Sequence, residues 1–328
     1  MCPDTTMEAL GETAKAATKM GEIVQCVFGP HWTRKQADAD AYADTRKLQL
    51  IRDNPDMEIV YIDGKLNARA HDQSTLVSRA EQRLLTETLR QEDNIEKVFE
   101  VAANELSSAE TVSDEPVDND WITRFFNIAK DVSNEDMQRV WGKILAGEIQ
   151  KPGKFSYRTM ETLRNLSQRE ATMFQKIMPF VMRAGGECFF SSNEDLLNEY
   201  NIIFADLLLL QECGLVNISL SNNPSVSQTK NSFLYSDTVI VHFWGYTDEE
   251  VTLRFGVHTL TTAGKELYSI LAHNGDKSYA IKWAEIIFKE NKESAKIYLH
   301  DVHDIADKII HHSTEPFQCF INETKQLP

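Results

Sequence analysis

Residues 133–174 read SNEDMQRVWGKILAGEIQKPGKFSYRTMETLRNLSQREATMF, and their punctuation decides the fold. Ser133 with Asp136 spells a capping box, after which Met137, Val140, Trp141, Ile144 and Leu145 form one helical stripe. The stripe stops near Gln150, before Pro152-Gly153. Phe155-Ser156 opens a further helix carrying Met160, Leu163 and Leu166. Ser167 and Glu170 make a second capping box, starting a helix with Phe174, Ile177, Met178 and Val181 that Gly185-Gly186 ends. With the short apolar helix Trp121–Ala129, these segments predict a compact helical bundle over 120–185.

Upstream, residues 1–106 predict long amphipathic helices. One covers 7–28 and ends at Gly29-Pro30, and a more polar one runs from Trp32 to about Ile51. A loop follows, with a short strand at Glu58–Ile62. Then Leu84, Leu85, Leu89, Ile95, Val98, Phe99, Ala102 and Leu106 mark one long helix, or two broken near Asp93. Residues 107–119 are an acidic linker. Downstream, 186–275 shows two short helices, the polar strand-like runs and LTTAGKEL (260–267), the order of a winged-helix-like α+β domain. Residues 276–328 predict C-terminal helices with a frayed tail. The expected fold class is therefore mainly α.

Composition narrows the function. The 328 residues carry a formal net charge of −16, which repels phosphate backbones and makes nucleic acid an unfavoured partner. Within 186–275 acidic residues outnumber basic ones, and 203–213 has no Lys or Arg to contact phosphates, so that module predicts protein contact. Five scattered cysteines without a CxxC pair predict free thiols in a reducing cytoplasm. The first residues do not resemble a signal peptide, and no run of 18 apolar residues predicts a membrane span.

Candidate sites each have a plainer structural role beside them. Trp121 and Arg124, with Arg158, are candidate partner-binding residues, although aromatics such as Trp121, Phe125, Phe126 and Trp141 at helical spacing are ordinarily core. Glu135, Asp136 and Glu148, near Arg158 and Arg164, offer acid–base or metal chemistry, but Glu135 and Asp136 suit the first turn of a helix. The AGE–KPGK segment (146–154) lacks the phosphate-loop pattern. The metal-like cluster lies in the C-terminal run: His300, Asp304, Asp307 and His311 would share one face if helical. Those four span about three turns, roughly 16 Å, too far for one ion.

Residues 120–174, together with RQEDNIEKVFEVAANEL (90–106) and FGPHWTRKQADADAYA (28–43), resemble a bacterial family of unknown function (domain of unknown function 2806). The order Glu135, Gln138, Trp141, Leu145, Ala146, then Leu163, Leu166, Ser167, Glu170, Ala171 is also similar to the abortive-infection Abi-alpha proteins. Gln138, Trp141, Leu145, Glu148, Ser167 and Glu170 form the structural signature. The resemblance implies a helical, cytoplasmic bacterial protein with a suspected role in phage defence, and it supplies no catalytic residues and no cofactor.

Together these readings predict a non-enzymatic interaction protein of a bacterial cell or prophage. It would act through a protein partner and self-association, in phage defence or abortive infection. The alternatives are a metal-dependent hydrolase or nuclease using His300, Asp304 and His311, and a winged-helix transcriptional regulator.

Overall fold

The computed structural model describes residues 12–23, 52–53, 55, 57–62, 65–70, 75–109, 111–220, 225–226, 232–247, 249–271, 273–306 and 309–325. The expected helix over 32–51, the segment 28–43, Cys2, Cys26 and Asp307 lie outside them. The chain divides into two compact units, Met1–Met160 and Glu161–Pro328.

In the first unit, residues 12–23 form α1. The Val112 N–H donates to the Glu12 carboxylate at 2.7 Å, and Lys15 donates to the Val112 carbonyl at 3.1 Å. The acidic stretch is thereby tied along α1. A hairpin of β1 (Met57–Ile62) and β2 (Lys65–Ala70) packs on the start of α2 (Leu76–Ser107). Met57, Ala68, Ala70, Leu85 and Leu89 form their shared core. The strand expected at 58–62 is thus one arm of this hairpin.

The helix α2 is a single unbroken helix of 32 residues, about 48 Å long. Thr75 caps it, and its buried side carries Leu85, Leu89, Ile95, Val98, Phe99, Ala102 and Leu106. Leu84 is not part of that stripe, being 70% exposed. Next come α3 (Asn119–Ala129), α4 (Glu135–Gln150) and α5 (Tyr157–Asn165), the last carrying the chain across the boundary between the units. The cap of α4 is Asn134, whose side chain accepts from the Met137 N–H at 3.0 Å, and not Ser133 one residue earlier. The α4 backbone approaches α2 closely at Gly142, where a Cβ would sit 2.5 Å from the Val101 side chain.

The second unit corrects the mainly-α expectation. Its helix α6 (Gln168–Ile177) begins at the Ser167–Glu170 capping box as expected. Pro179, in the 3-10 turn Met178–Phe180, then ends the helical run. Gly185-Gly186 does not terminate a helix. Both glycines have positive φ, +57° and +82°, as a type I′ turn requires, and they join strands β3 (Met182–Ala184) and β4 (Glu187–Ser191). Two helices follow, α7 (Glu194–Glu199) and α8 (Phe204–Glu212), then β5 (Val216–Leu220), β6 (Ser225–Val226), β7 (Ser232–Tyr235), β8 (Val239–Gly245), β9 (Val251–Thr252) and β10 (Val257–Leu260). Next come α9 (Thr262–Tyr268), α10 (Lys277–Asn291), β11 (Ala295–Ala306), β12 (Ile309–His312) and β13 (Gln318–Phe320).

Nine of these strands form an antiparallel sheet in the order β12-β11-β8-β7-β3-β4-β10-β5, with β13 also on β11, while β6 and β9 pair with each other. The region expected to be a separate winged-helix-like module is therefore one end of a larger sheet. The short strands β4, β10 and β5 continue through β3 and β7, because strand edges left open in a small wing demand partners. The expected C-terminal helices give way after Asn291 to strands. The reason is period two: Ile297 and Leu299 are fully buried while Lys296 and Tyr298 are only partly so. One face of the sheet is covered by α10, where Trp283 meets Phe189 and Phe255, and the Ser191 N–H donates to the Tyr279 hydroxyl at 2.8 Å.

Candidate functional site

One signature residue of the first unit, Glu148, holds the turn that follows α4. Beyond α4 the chain reverses through Pro152-Gly153, with Gly153 at φ +80°. Glu148, 1% exposed, holds this turn: its two carboxylate oxygens accept from the Gly153 N–H at 2.6 Å and the Phe155 N–H at 2.9 Å. The buried carboxyl group is thus satisfied by backbone donors, the requirement for keeping a polar group inside. On the other side, the Trp121 indole N–H donates to the Phe155 carbonyl at 2.8 Å. Gly147 has no room for a Cβ, which would lie 2.7 Å from the Phe155 ring. Glu148 is therefore a turn clamp.

The clamped turn faces the start of α3 across an open cleft of about 750 Å³, lined by Pro116, Asp118, Trp121, Pro152, Phe155 and Tyr157 among others. Asp118 caps α3 by accepting from the Trp121 N–H at 2.8 Å, and it accepts from the Tyr157 hydroxyl at 2.9 Å. Those two bonds, the Trp121 N–H first, hold the Asp118 carboxyl below the usual carboxylate range. The Arg124 guanidinium lies 4.4 Å from the Tyr157 ring centre. Tyr157, 39% exposed, is thus a fixed aromatic at the mouth of the cleft.

The predicted partner-binding residues divide. Trp121 lines the cleft but is itself nearly buried, Arg124 acts on Tyr157, and Arg158 is exposed on α5 beside it. Of the signature, Trp141 and Leu145 are fully buried, and the Phe125 ring packs edge-on to Trp141 at 5.4 Å. The Gln138 amide donates to the Asn94 side chain at 3.1 Å and to the Val132 carbonyl at 2.9 Å, joining α4 to α2. In the second unit, Ser167 and Glu170 cap α6. Asp118 and Tyr157 escaped the sequence reading. Their signal was an Asp three residues ahead of an apolar Trp, and an exposed aromatic opening a helix.

The predicted metal set is not brought together. His300 and Asp304 lie on β11, and Asp304 pairs across to His311 on β12. His300 instead meets His242 and His312, with ring centres 5.2 and 5.1 Å away and 5.3 Å between the latter two. Both His300 Nδ1 and His312 Nδ1 sit 2.8 Å from the Ser313 carbonyl oxygen. Burial first, then the neighbouring His300 and His312, pushes the His242 imidazole down to about 4. Among the described residues no group of three or more His, Cys, Asp or Glu is arranged to hold a metal ion. The helical reading of this run hid the cluster, because on a strand His242 and His312 become the neighbours of His300.

Residues 78–283 match the model of a family described as a protein of unknown function (DUF2806). The chain belongs to this family. The DUF2806 match contains the whole cleft and runs past the helical bundle to Trp283, so it extends beyond the 120–185 segment. It includes His242 but not His300 or His312, and it starts well after 28–43. No curated protein and no solved structure matches the chain.

Proposed function

We propose that this DUF2806 protein is a non-enzymatic interaction protein that receives a partner segment in the Asp118–Tyr157 cleft. The observation that supports this most is Tyr157, an exposed ring pinned by Arg124 and Asp118 at the mouth of an aromatic and proline-lined cleft. A rigid aromatic beside an arginine is the kind of anchor that dominates binding energy. The polar groups deepest in the cleft are consumed by the turn: Glu148 by two N–H groups and the Trp121 indole by a carbonyl. That leaves recognition, rather than proton transfer, as the chemistry the cleft offers.

The order shared with the Abi-alpha proteins supports a phage-defence or abortive-infection role in a bacterial cell or prophage. Five scattered cysteines support a cytoplasmic setting. Among the described residues no helix is long and apolar enough to cross a membrane. Self-association is supported by α2, where Leu76, Val77 and Leu84 are 76%, 62% and 70% exposed. The metal-dependent hydrolase reading has weaker support, since Asp304 and His311 pair with each other away from the clustered histidines.

The test places a photo-crosslinking benzoylphenylalanine at Tyr157 in cells, with and without phage. A discrete adduct with one other protein is expected. Recovery of only the unmodified chain under both conditions would defeat the proposal.

A further inference from the structure

The helix α8 exposes apolar side chains as well as burying them. Its sequence, FADLLLLQE, turns Leu207 and Leu210 into the core, at 2% and 0% exposure. Yet Ile203, Phe204 and Leu208 face outward, at 52%, 55% and 42% exposure. Phe204 and Leu208 are one turn apart, so their side chains form a single patch. A helix that faces water ordinarily keeps a polar outer side, so an apolar patch of this kind on it marks a contact surface. Beside the patch opens a pocket of about 330 Å³ lined by Leu197, Ile202, Phe204, Leu207 and Ile218, with Glu194 among its polar groups.

Charge identifies what covers it. From 184 to 220 the chain has no Lys or Arg and six acids: Glu187, Glu194, Asp195, Glu199, Asp206 and Glu212. Glu187 is paired with Lys265 and Glu199 with Lys282. Lys176 reaches this side but donates to the Asn201 carbonyl. Glu194 and Asp195 in the first turn of α7, with Asp206 and Glu212 on α8, leave the apolar patch among acids.

We infer that the outer face of α8 docks a basic, amphipathic segment of a partner protein. The segment's apolar side chains lie on Phe204, Leu208 and the adjoining pocket, and its Lys or Arg residues lie toward the four acids. Such complementarity steers encounter and fixes register. A second copy of this chain fits poorly here, since a two-fold contact would oppose acidic surroundings to themselves on a chain of net charge −16. This surface is distinct from the Tyr157 cleft, so the inference stands or falls separately from it.

The test uses the full chain and three labelled peptides followed by fluorescence anisotropy: an amphipathic Leu/Lys helix, its Leu/Glu counterpart, and a Lys/Ser peptide of equal positive charge. The Leu/Lys helix is expected to saturate at one per chain. The Phe204→Ser/Leu208→Ser double variant is expected to weaken it about tenfold, and Tyr157→Ala to leave it unchanged. Ile203→Ser, before the helix proper, is the second variant should the double one fold poorly, and it too is expected to weaken binding. Equal binding of the Leu/Glu or Lys/Ser peptide would overturn the inference, as would unchanged affinity in the α8 variants. A fall in the light-scattering mass of the chain on the same substitutions would also overturn it, by assigning the face to a second copy.

Discussion

Acid should unfold the histidine cluster in a way that one substitution removes. His242 takes up a proton at about 4 in the folded chain against an ordinary 6.5, chiefly because it is half-buried and secondly because His300 and His312 stand beside it. The folded value is the depressed one, so between those two pH values the unfolded chain binds the extra proton. Stability is therefore full above about pH 7, falls as pH drops toward 4, and loses nothing further from this group below that. A difference of about 2.5 pH units would correspond to about 3 kcal/mol at full strength, and solvent screening of this half-buried imidazole cuts it to about 1–2 kcal/mol. The assay is urea unfolding of the parent and of His242→Gln at pH 7.5, 6.5, 5.5 and 4.5, taking the difference between the two at each pH. Carboxylates titrate in both chains and cancel. The parent should lose about 1–2 kcal/mol relative to the variant between the extremes. Parallel pH profiles would refute the reasoning, for they would mean that His242 is protonated as readily in the folded chain as in the unfolded one.

Three further outcomes follow from the first unit. Glu148→Ala strips the Gly153 and Phe155 N–H groups of their acceptor. It should lower stability by about 3 kcal/mol in chemical denaturation, with Glu148→Gln recovering part of that loss. Trp141→Ala empties a site of zero exposure beside Phe125 and should cost about 3–5 kcal/mol, read as a lowered melting midpoint; an unchanged midpoint would remove Trp141 from the core. The exposed residues Leu76, Val77 and Leu84 should make the purified chain a dimer or larger by light scattering. Val77→Ser/Leu84→Ser should return it to a monomer, and a parent that is already monomeric at tens of micromolar would exclude this contact.

What could be read from the sequence was local. The Ser167–Glu170 box announced a helix because both bonds form within four residues, and the Pro152-Gly153 stop likewise needs no distant partner. The cap at Asn134 was misplaced by one because Ser133 and Asn134 offer the same chemistry side by side. Failures came where partners are remote. Gly185-Gly186 ends a helix or turns a hairpin equally well, and only the pairing of Met182 with Phe189 decides. The run 295–306 carries His and Asp at helical spacing, yet burial of Ile297 and Leu299 against α10 and pairing with β8 fix it as a strand. The candidate cleft was half legible: Trp121, Arg124 and Glu148 drew notice as residue types, whereas their convergence on Phe155 and Tyr157 depends on how the turn after α4 closes.

The place of β11 in the sheet bears on how the chain is made. The strand β8, VIVHFWG, has β7 on one side and waits for β11 on the other, its register running from Gly245 with Ala295 to Val239 with Asp301. During synthesis some fifty residues must therefore emerge after β8 before that edge is closed, and contacts so distant in sequence form slowly. Until then the nascent chain displays an edge rich in Val, Ile, Phe and Trp, with no proline or charged residue to blunt it. A ribosome stalled in α10, or a gene cut short before Ala295, would thus release a polypeptide whose first unit is complete and whose second seeks its missing strand in other molecules.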